Sequence, residues 1–224
     1  SIWRGQDKDS SAAIGRLTAA WHDVALVVPS ARGERRDGEH RAAMETAHRV
    51  TEYLADLGLG ADAGEDAAVP QGALKNRWVA ILAHNPGIDE EVVAALDQFV
   101  QRGGKLVVCY QLPPALAKRL GFGKAKYVGQ GSSGRFAEMR FDAAIPGLPK
   151  SVRQASWNIT AAQPISDDAQ VIARWYDRDG QATGEPAVLV SPRGVFFSHI
   201  LLADDPAGKR QMLAALLGKL DSRL

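Results

Sequence analysis

The chain has one cysteine in 224 residues, Cys109. An intramolecular disulfide and a cysteine-based zinc cluster are both excluded. Charge of one sign is missing as well. Lys and Arg number 27 against 26 Asp and Glu, a formal net charge of +1, and the basic residues are scattered rather than striped. The electrostatic footprint of a nucleic-acid binder is therefore absent. No apolar run reaches the roughly 18 to 20 residues of a spanning helix, so no membrane span is predicted. The opening "SIWRGQDKDSS" is polar and charged rather than a secretory leader. A start without Met fits a processed product or a piece of a longer chain, which leaves localisation unread. The chain also lacks a G-x-S-x-G elbow, a P-loop and a G-x-G-x-x-G turn, and no His, Asp or Glu spacing suggests a metal site. Neither a metal nor a cofactor is predicted.

What is present suits a globular protein with a real core: 46% of residues are hydrophobic and 24% charged. Strand and helix patterns alternate through the first half. "DVALVVPS" (23–30) reads as a central parallel strand, because a strand buried on both faces is apolar throughout. "HRAAMETAHRVTEYLADLGLG" (40–60) repeats apolar residues at helical spacing and stops at glycine. "ADAGEDAAV" suits only an edge strand or a loop. "RWVAILAHNPG" (77–87) is a buried strand, and "IDEEVVAALDQFVQRGG" (88–104) a helix with Asp89 at its N-cap. "KLVVCYQL" is the next strand, and "PPALAKRLGFG" a short helix opened by prolines. From Tyr127 the texture becomes β-rich, with "DRDGQATG" as a hairpin turn. "RGVFFSH" is a further strand, and "DDPAGKRQMLAALLGKL" a closing helix with Pro206 near its first turn. The pattern predicts a mostly parallel α/β sheet with helices on both faces, and a late β-rich segment that is an insertion or an antiparallel extension of the sheet.

Ligands bind such sheets beyond the C-terminal ends of the strands. Polar groups stand there at Pro29-Ser30, His84-Asn85, Cys109-Tyr110-Gln111 and Ser198-His199. A thiol beside an imidazole would be a nucleophile and its base. A lone cysteine in an apolar strand is more often a small core residue, and His199, set between Phe197 and "ILL", reads as structural on the same grounds. His84 and Asn85 open a turn that needs only Pro86 and Gly87, so a pocket role stays open for both. His22, His40 and His48 read as surface or helix residues. "GQGSSG" (129–134) reads as a loop rather than an anion cradle, and Arg32, Arg35 and Arg36 as a solvated loop. "NIT" (158–160) matches a glycosylation sequon. Trp157, Trp175 and Tyr176 could stack on a sugar, although aromatics in short strands are usually core.

Two stretches together resemble a known family. "WVAILAHNPGIDEEVVAALDQFVQRGGKLVVCYQLPPALAKRLG" is similar to the middle of the class I glutamine amidotransferase-like fold. "GVFFSHILLADDPAGKRQMLAALLGKL" is similar to that fold's last strand and helix. The resemblance places Cys109 on the nucleophile's strand and His199 on the catalytic histidine's strand. It departs from the active enzymes at the two flanking glycines, where Val107 and Gln111 stand, and at the acid two residues after the histidine, where Leu201 stands; Asp204 is the nearest acid. "GGKLVVCYQLPPALAKRLG", "VRQASWNIT", "TGEPAVLVS" and "FFSHILLADDPAGKRQMLAALLG" resemble amidotransferase-like domains of bacterial proteins that also carry a family-ten-like glycoside hydrolase module. β-Galactosidase trimerisation domains and trehalose-utilisation-like proteins share the fold.

The resemblance implies a flavodoxin-like three-layer α/β sandwich over 23–224, preceded by an arm over 1–22, with the insertion at about 122–185. It implies a non-catalytic accessory domain of a carbohydrate-active protein, partnered by a glycosidase-like module or by its own copies, with export to the periplasm or the medium the expectation if the chain is part of such a protein. The expected ligand pocket, for a carbohydrate or small polar molecule, comprises Ser30, His84, Asn85, Tyr110 and Gln111. The alternative is a cysteine hydrolase using Cys109 and His199, which requires Cys109 in a strained turn close to the imidazole. The third reading is a sugar-binding module, which requires Trp157 or Trp175 exposed beside the pocket.

Overall fold

The computed structural model describes residues 23–30 and 38–224. The arm over 1–22, with His22, and the arginines Arg32, Arg35 and Arg36 lie outside the described residues.

The first strand, β1 (Val24–Val28), is buried along its whole length, as a strand covered on both faces must be. Helix α1 (Glu39–Asp56) follows and turns Ala43, Ala47, Val50, Tyr53 and Leu54 inward. The acidic, glycine-containing segment forms β2 (Ala61–Glu65), a largely exposed strand that pairs with β1 at the edge of the sheet. A short 3-10 turn (Asp66–Ala68) leads on toward β3 (Val79–Leu82), α2 (Glu90–Gln101), β4 (Lys105–Cys109) and α3 (Pro114–Leu120). The β-rich segment contributes β5 (Lys126–Gly129), β6 (Phe136–Phe141), β7 (Ser151–Ser156), β8 (Asn158–Ala161), β9 (Gln170–Tyr176) and β10 (Ala182–Ser191). Strand β11 (Gly194–Phe197) and helix α4 (Pro206–Leu220) complete the described elements.

Nine strands form one sheet in the order β2-β1-β3-β4-β11-β10-β9-β6-β7. From β2 to β11 the neighbours run parallel. From β11 to β7 they run antiparallel. The β-rich segment therefore does not stand apart: it prolongs the parallel sheet, and only β5 and β8 leave it, as a two-stranded ribbon. The join at β11 is tight. A Cβ on Gly194 would lie 2.2 Å from the carbonyl oxygen of Leu106, closer than any side chain permits, so only glycine starts this strand against β4.

Helices cover both faces. On one face, α1 and α4 pack against alternate residues of the strands, including Val107, Cys109, Val195 and Phe197. On the other, α2 and α3 pack against Leu106, Val108 and Phe196. The predicted three-layer α/β sandwich is the architecture found, and the alternation along β4 fixes which layer each of its residues joins. All the strands from β1 to β4, together with β11, end on one side of the molecule, where the candidate residues gather.

Candidate functional site

Strand β4 hands the chain to α3 through an unusual turn. Among the described residues only Tyr110 and Asp205 have a positive φ without being glycine, and Tyr110 sits at 65°. The Gln111 N–H donates to the Cys109 carbonyl at 2.8 Å, closing a three-residue turn around Tyr110. A positive φ at the centre of such a turn is its rare, strained hand, and a bulky aromatic residue accepts it at a cost of about 1–3 kcal/mol. The conformation is held from several sides. The Tyr110 N–H donates to the Phe197 carbonyl at 2.8 Å, continuing the β4–β11 ladder, and the Thr160 hydroxyl donates to the Tyr110 carbonyl.

The strained turn is thus present, with a phenol at its apex. Cys109 precedes the apex and points the other way. Its side chain is buried in the layer beneath α1 and α4, and burial pushes its pKa up to about 12. Among the described residues no charge or hydrogen bond pulls that value back. A reactive cysteine needs thiolate character and access; this one has neither.

His199 follows β11 and is buried. Its Nδ1 lies 3.0 Å from the Ile200 carbonyl and 3.3 Å from the Gln154 amide nitrogen. The Gln154 amide already donates to Ser156 Oγ at 3.0 Å and to the Ile200 carbonyl at 2.9 Å. The network therefore assigns the proton to Nδ1, donated to Ile200, and the lone pair to Nε2. Burial is the largest influence on this imidazole and holds its pKa down to about 4, so it is neutral at neutral pH. Its ring neighbours are Tyr110, at 5.4 Å between centroids, and Trp157, at 5.0 Å, both edge-on. Asp204 is not its orienting acid: that carboxylate accepts from the Ala155 N–H at 3.3 Å, and Leu201 is in the core.

Around Tyr110 the polar groups converge. The His84 ring lies 6.4 Å from the phenol ring, and burial lowers its pKa. Burial likewise raises the pKa of Tyr110, while a hydrogen bond from Asn158 opposes that rise. His84 Nδ1, both polar atoms of the Asn85 amide, Gln111 Oε1 and Asn158 Oδ1 are buried without a hydrogen-bond partner among the described residues. Native interiors leave few such atoms, and five near one set of strand ends is a concentration. The rim is aromatic: Trp157 is 52% exposed and Tyr127 67% exposed. Tyr127 belongs to β5, and the Gln130 N–H donates to the Trp157 carbonyl at 3.1 Å, so the ribbon carries both rings to the site.

The predicted residues divide accordingly. His84 and Tyr110 meet with His199, and Gln111 and Asn85 add buried amides beside them in the chain. Ser30 is committed elsewhere. Its hydroxyl donates to Asp66 at 2.6 Å and accepts from the Ala67 N–H at 3.1 Å, fastening the end of β1 to the 3-10 turn. Trp175 is wholly buried and donates to Ser198 Oγ at 2.7 Å. His48 lies on the open face of α1, 3.4 Å from Glu52. Asn158 and Tyr127 are the residues the sequence-based pocket omits; the sequence names Trp157 only as a residue that could stack on a sugar beside the pocket, and of Trp157 and Trp175 it is Trp157 that is exposed. The fragment "SWNIT" was the available signal: an aromatic residue followed by an amide at the entrance to a strand.

No protein-family model matches the chain, and no curated protein matches it in sequence. Solved structures do match in fold. A protein described as ThuA-like from Bacteroides uniformis superposes with a TM-score of 0.64 at 16% identity, over 90% of this chain and 92% of that one. A protein described as a GMP synthase subunit from Thermoplasma acidophilum gives 0.56 at 14% identity, over 90% and 96%. The chain has a ThuA-like, class I glutamine amidotransferase-like fold. The exo-β-1,4-mannosidase Op5Man5 from an Opitutaceae bacterium gives 0.61 at 16% identity, over 94% of this chain but only 38% of that enzyme. The fold anticipated from the two resembling stretches is the fold observed.

Proposed function

We propose that this chain is an accessory amidotransferase-like domain of a carbohydrate-active bacterial protein, with a small-ligand site at its strand ends and no thiol chemistry. One observation carries the reading. The strained strand-to-helix turn presents the Tyr110 phenol, whereas Cys109 is buried in the core with a pKa near 12. A cysteine hydrolase needs the reverse arrangement. The glycosidase context is supported by the sequence resemblance and by the likeness to a minor portion of a mannosidase. In that setting the partner is a neighbouring catalytic module or further copies of the chain.

The test is an assay of the purified chain for hydrolysis of glutamine and simple amides, beside a Cys109→Ala variant. The reading predicts no turnover above buffer in either protein. Turnover that disappears in the variant would establish the cysteine hydrolase instead.

A further inference from the structure

The strand-end cluster has a definite chemical character, and this inference rests on the accessory-domain reading above. Its polar atoms are mainly amides: Asn85, Gln111 and Asn158. Amides offer a donor and an acceptor on one small group and match hydroxyls, which also do both. The phenol of Tyr110 and the imidazoles of His84 and His199 add further neutral donors and acceptors. Above them stand two aromatic rings whose surface is half or more open, Trp157 and Tyr127. An open indole or phenol face beside buried polar groups suits a ring that is apolar on its faces and polar on its edge.

Charge narrows the choice. Burial disfavours the ionised form of each titratable group inside the cluster. Tyr127 adds electrostatically to the rise at Tyr110. Among the described residues, the carboxylate of Glu39, at the start of α1, acts on both His84 and Tyr110, and the ammonium of Lys209 acts on His199. Among the described residues, that carboxylate disfavours an anionic ligand, and the neutral side chains of the cluster give a cation no charged partner. Buried polar groups left unpaired cost about 1–3 kcal/mol each, so a ligand that pairs several at once gains affinity that it would not have on a flat surface.

We propose that this cluster binds an uncharged polyhydroxylated ring, a sugar unit or cyclic polyol, stacked on Trp157 and hydrogen-bonded by Tyr110 and the amides of Asn85, Gln111 and Asn158. Tyr110 is the central binding residue: the strained turn holds its ring beside both imidazoles. The same strain that would present a nucleophile in an enzyme here presents a hydrogen-bond donor.

The experiment titrates the whole chain with methyl β-glucoside, methyl β-mannoside and myo-inositol, and with glucuronate, glucose 6-phosphate and glucosamine as charged counterparts. Binding is read by tryptophan fluorescence and by saturation-transfer NMR on the ligand. At least one uncharged probe is expected to bind, with its ring protons receiving saturation. Trp157→Ala should weaken that probe about tenfold and Tyr110→Phe about threefold to tenfold, while Trp157→Phe keeps most of the affinity. Trp157 is half exposed, so its variants are expected to fold, and unchanged far-UV circular dichroism checks this. Binding of charged probes alone, lost in Trp157→Ala, overturns the neutral-ring inference and leaves the accessory-domain reading standing. No response to any uncharged probe at high millimolar concentration also overturns it. Glutamine hydrolysis, by contrast, overturns the reading beneath it.

Discussion

At the scale of single residues, Cys109 and Tyr110 exchange the parts that position alone would give them. A substitution series separates packing from chemistry at Cys109. Cys109→Ser buries a hydroxyl among apolar neighbours and is expected to cost about 1–3 kcal/mol of stability. Cys109→Ala should cost less, and neither should alter ligand affinity; denaturant unfolding and the sugar titration check both parts. His199 makes a separate prediction. Its folded pKa is lowered to about 4 from 6.5, so between those values the unfolded chain binds a proton that the native chain refuses. Stability is therefore present above pH 6.5 and falls as the pH drops to 4, by up to about 3 kcal/mol. His84, shifted the same way, adds to the slope. Replacing His199 by Gln should flatten most of it in unfolding curves recorded across that range.

At the scale of elements, the exposed edge of the antiparallel half explains a feature that the sequence shows only as "DDPAGK". Strand β7 ends the sheet, and an open edge invites pairing with another chain. Here side chains occupy it. The Arg153 N–H donates to Asp205 Oδ2 at 3.1 Å and the Ala155 N–H to Asp204 Oδ2 at 3.3 Å. Lys209, fully buried, donates to the carbonyls of Arg153 and Asp204. Asp205 also caps α4, accepting from the Gly208 N–H at 3.1 Å through Oδ1. A Cβ on Gly208 would lie 2.6 Å from that carboxylate, which is why the cap is followed by glycine. Asp205 itself holds a φ of 47°, a region that Asp and Asn tolerate best. Asp205→Ala removes both acceptors and is expected to cost about 1–3 kcal/mol. Asp205→Asn keeps one acceptor and the backbone preference, and should cost about half as much by thermal unfolding. Light scattering then shows whether the alanine variant, with its edge uncovered, associates.

At the scale of the whole molecule, the parallel half was legible because burial on two faces leaves strands apolar throughout, as in "VALVV" and "KLVVC", and because helices α1, α2 and α4 carry plain helical spacing. The acidic β2 was legible as an edge for the opposite reason. The resemblance gave the sheet its fold and placed Cys109 and His199 on two of its strands; that β4 and β11 are neighbours is known from the structure. The β-rich segment was legible as an insertion or an antiparallel extension, and local pattern could not choose between them, since the pairing of β6, β7, β9 and β10 follows from the tertiary fit of their faces. The site was half legible. His84, Asn85, Tyr110 and Gln111 stand at strand ends, where ligands bind in such sheets. Tyr127 and Asn158 come from the β5–β8 ribbon and Trp157 from the link just before β8, and only the fold reveals how they meet the strand ends. The seat of strain was also hidden: nothing in "VVCYQL" says that the turn falls on Tyr rather than Cys.

If this turn offers no thiolate, the rate of thiol labelling will show it. With a maleimide at neutral pH, followed by intact mass, the native chain should react at least about a hundredfold more slowly than the urea-unfolded chain, because a pKa near 12 leaves almost no thiolate. Rapid, stoichiometric labelling of native Cys109, slowed by loss of His199, would contradict it.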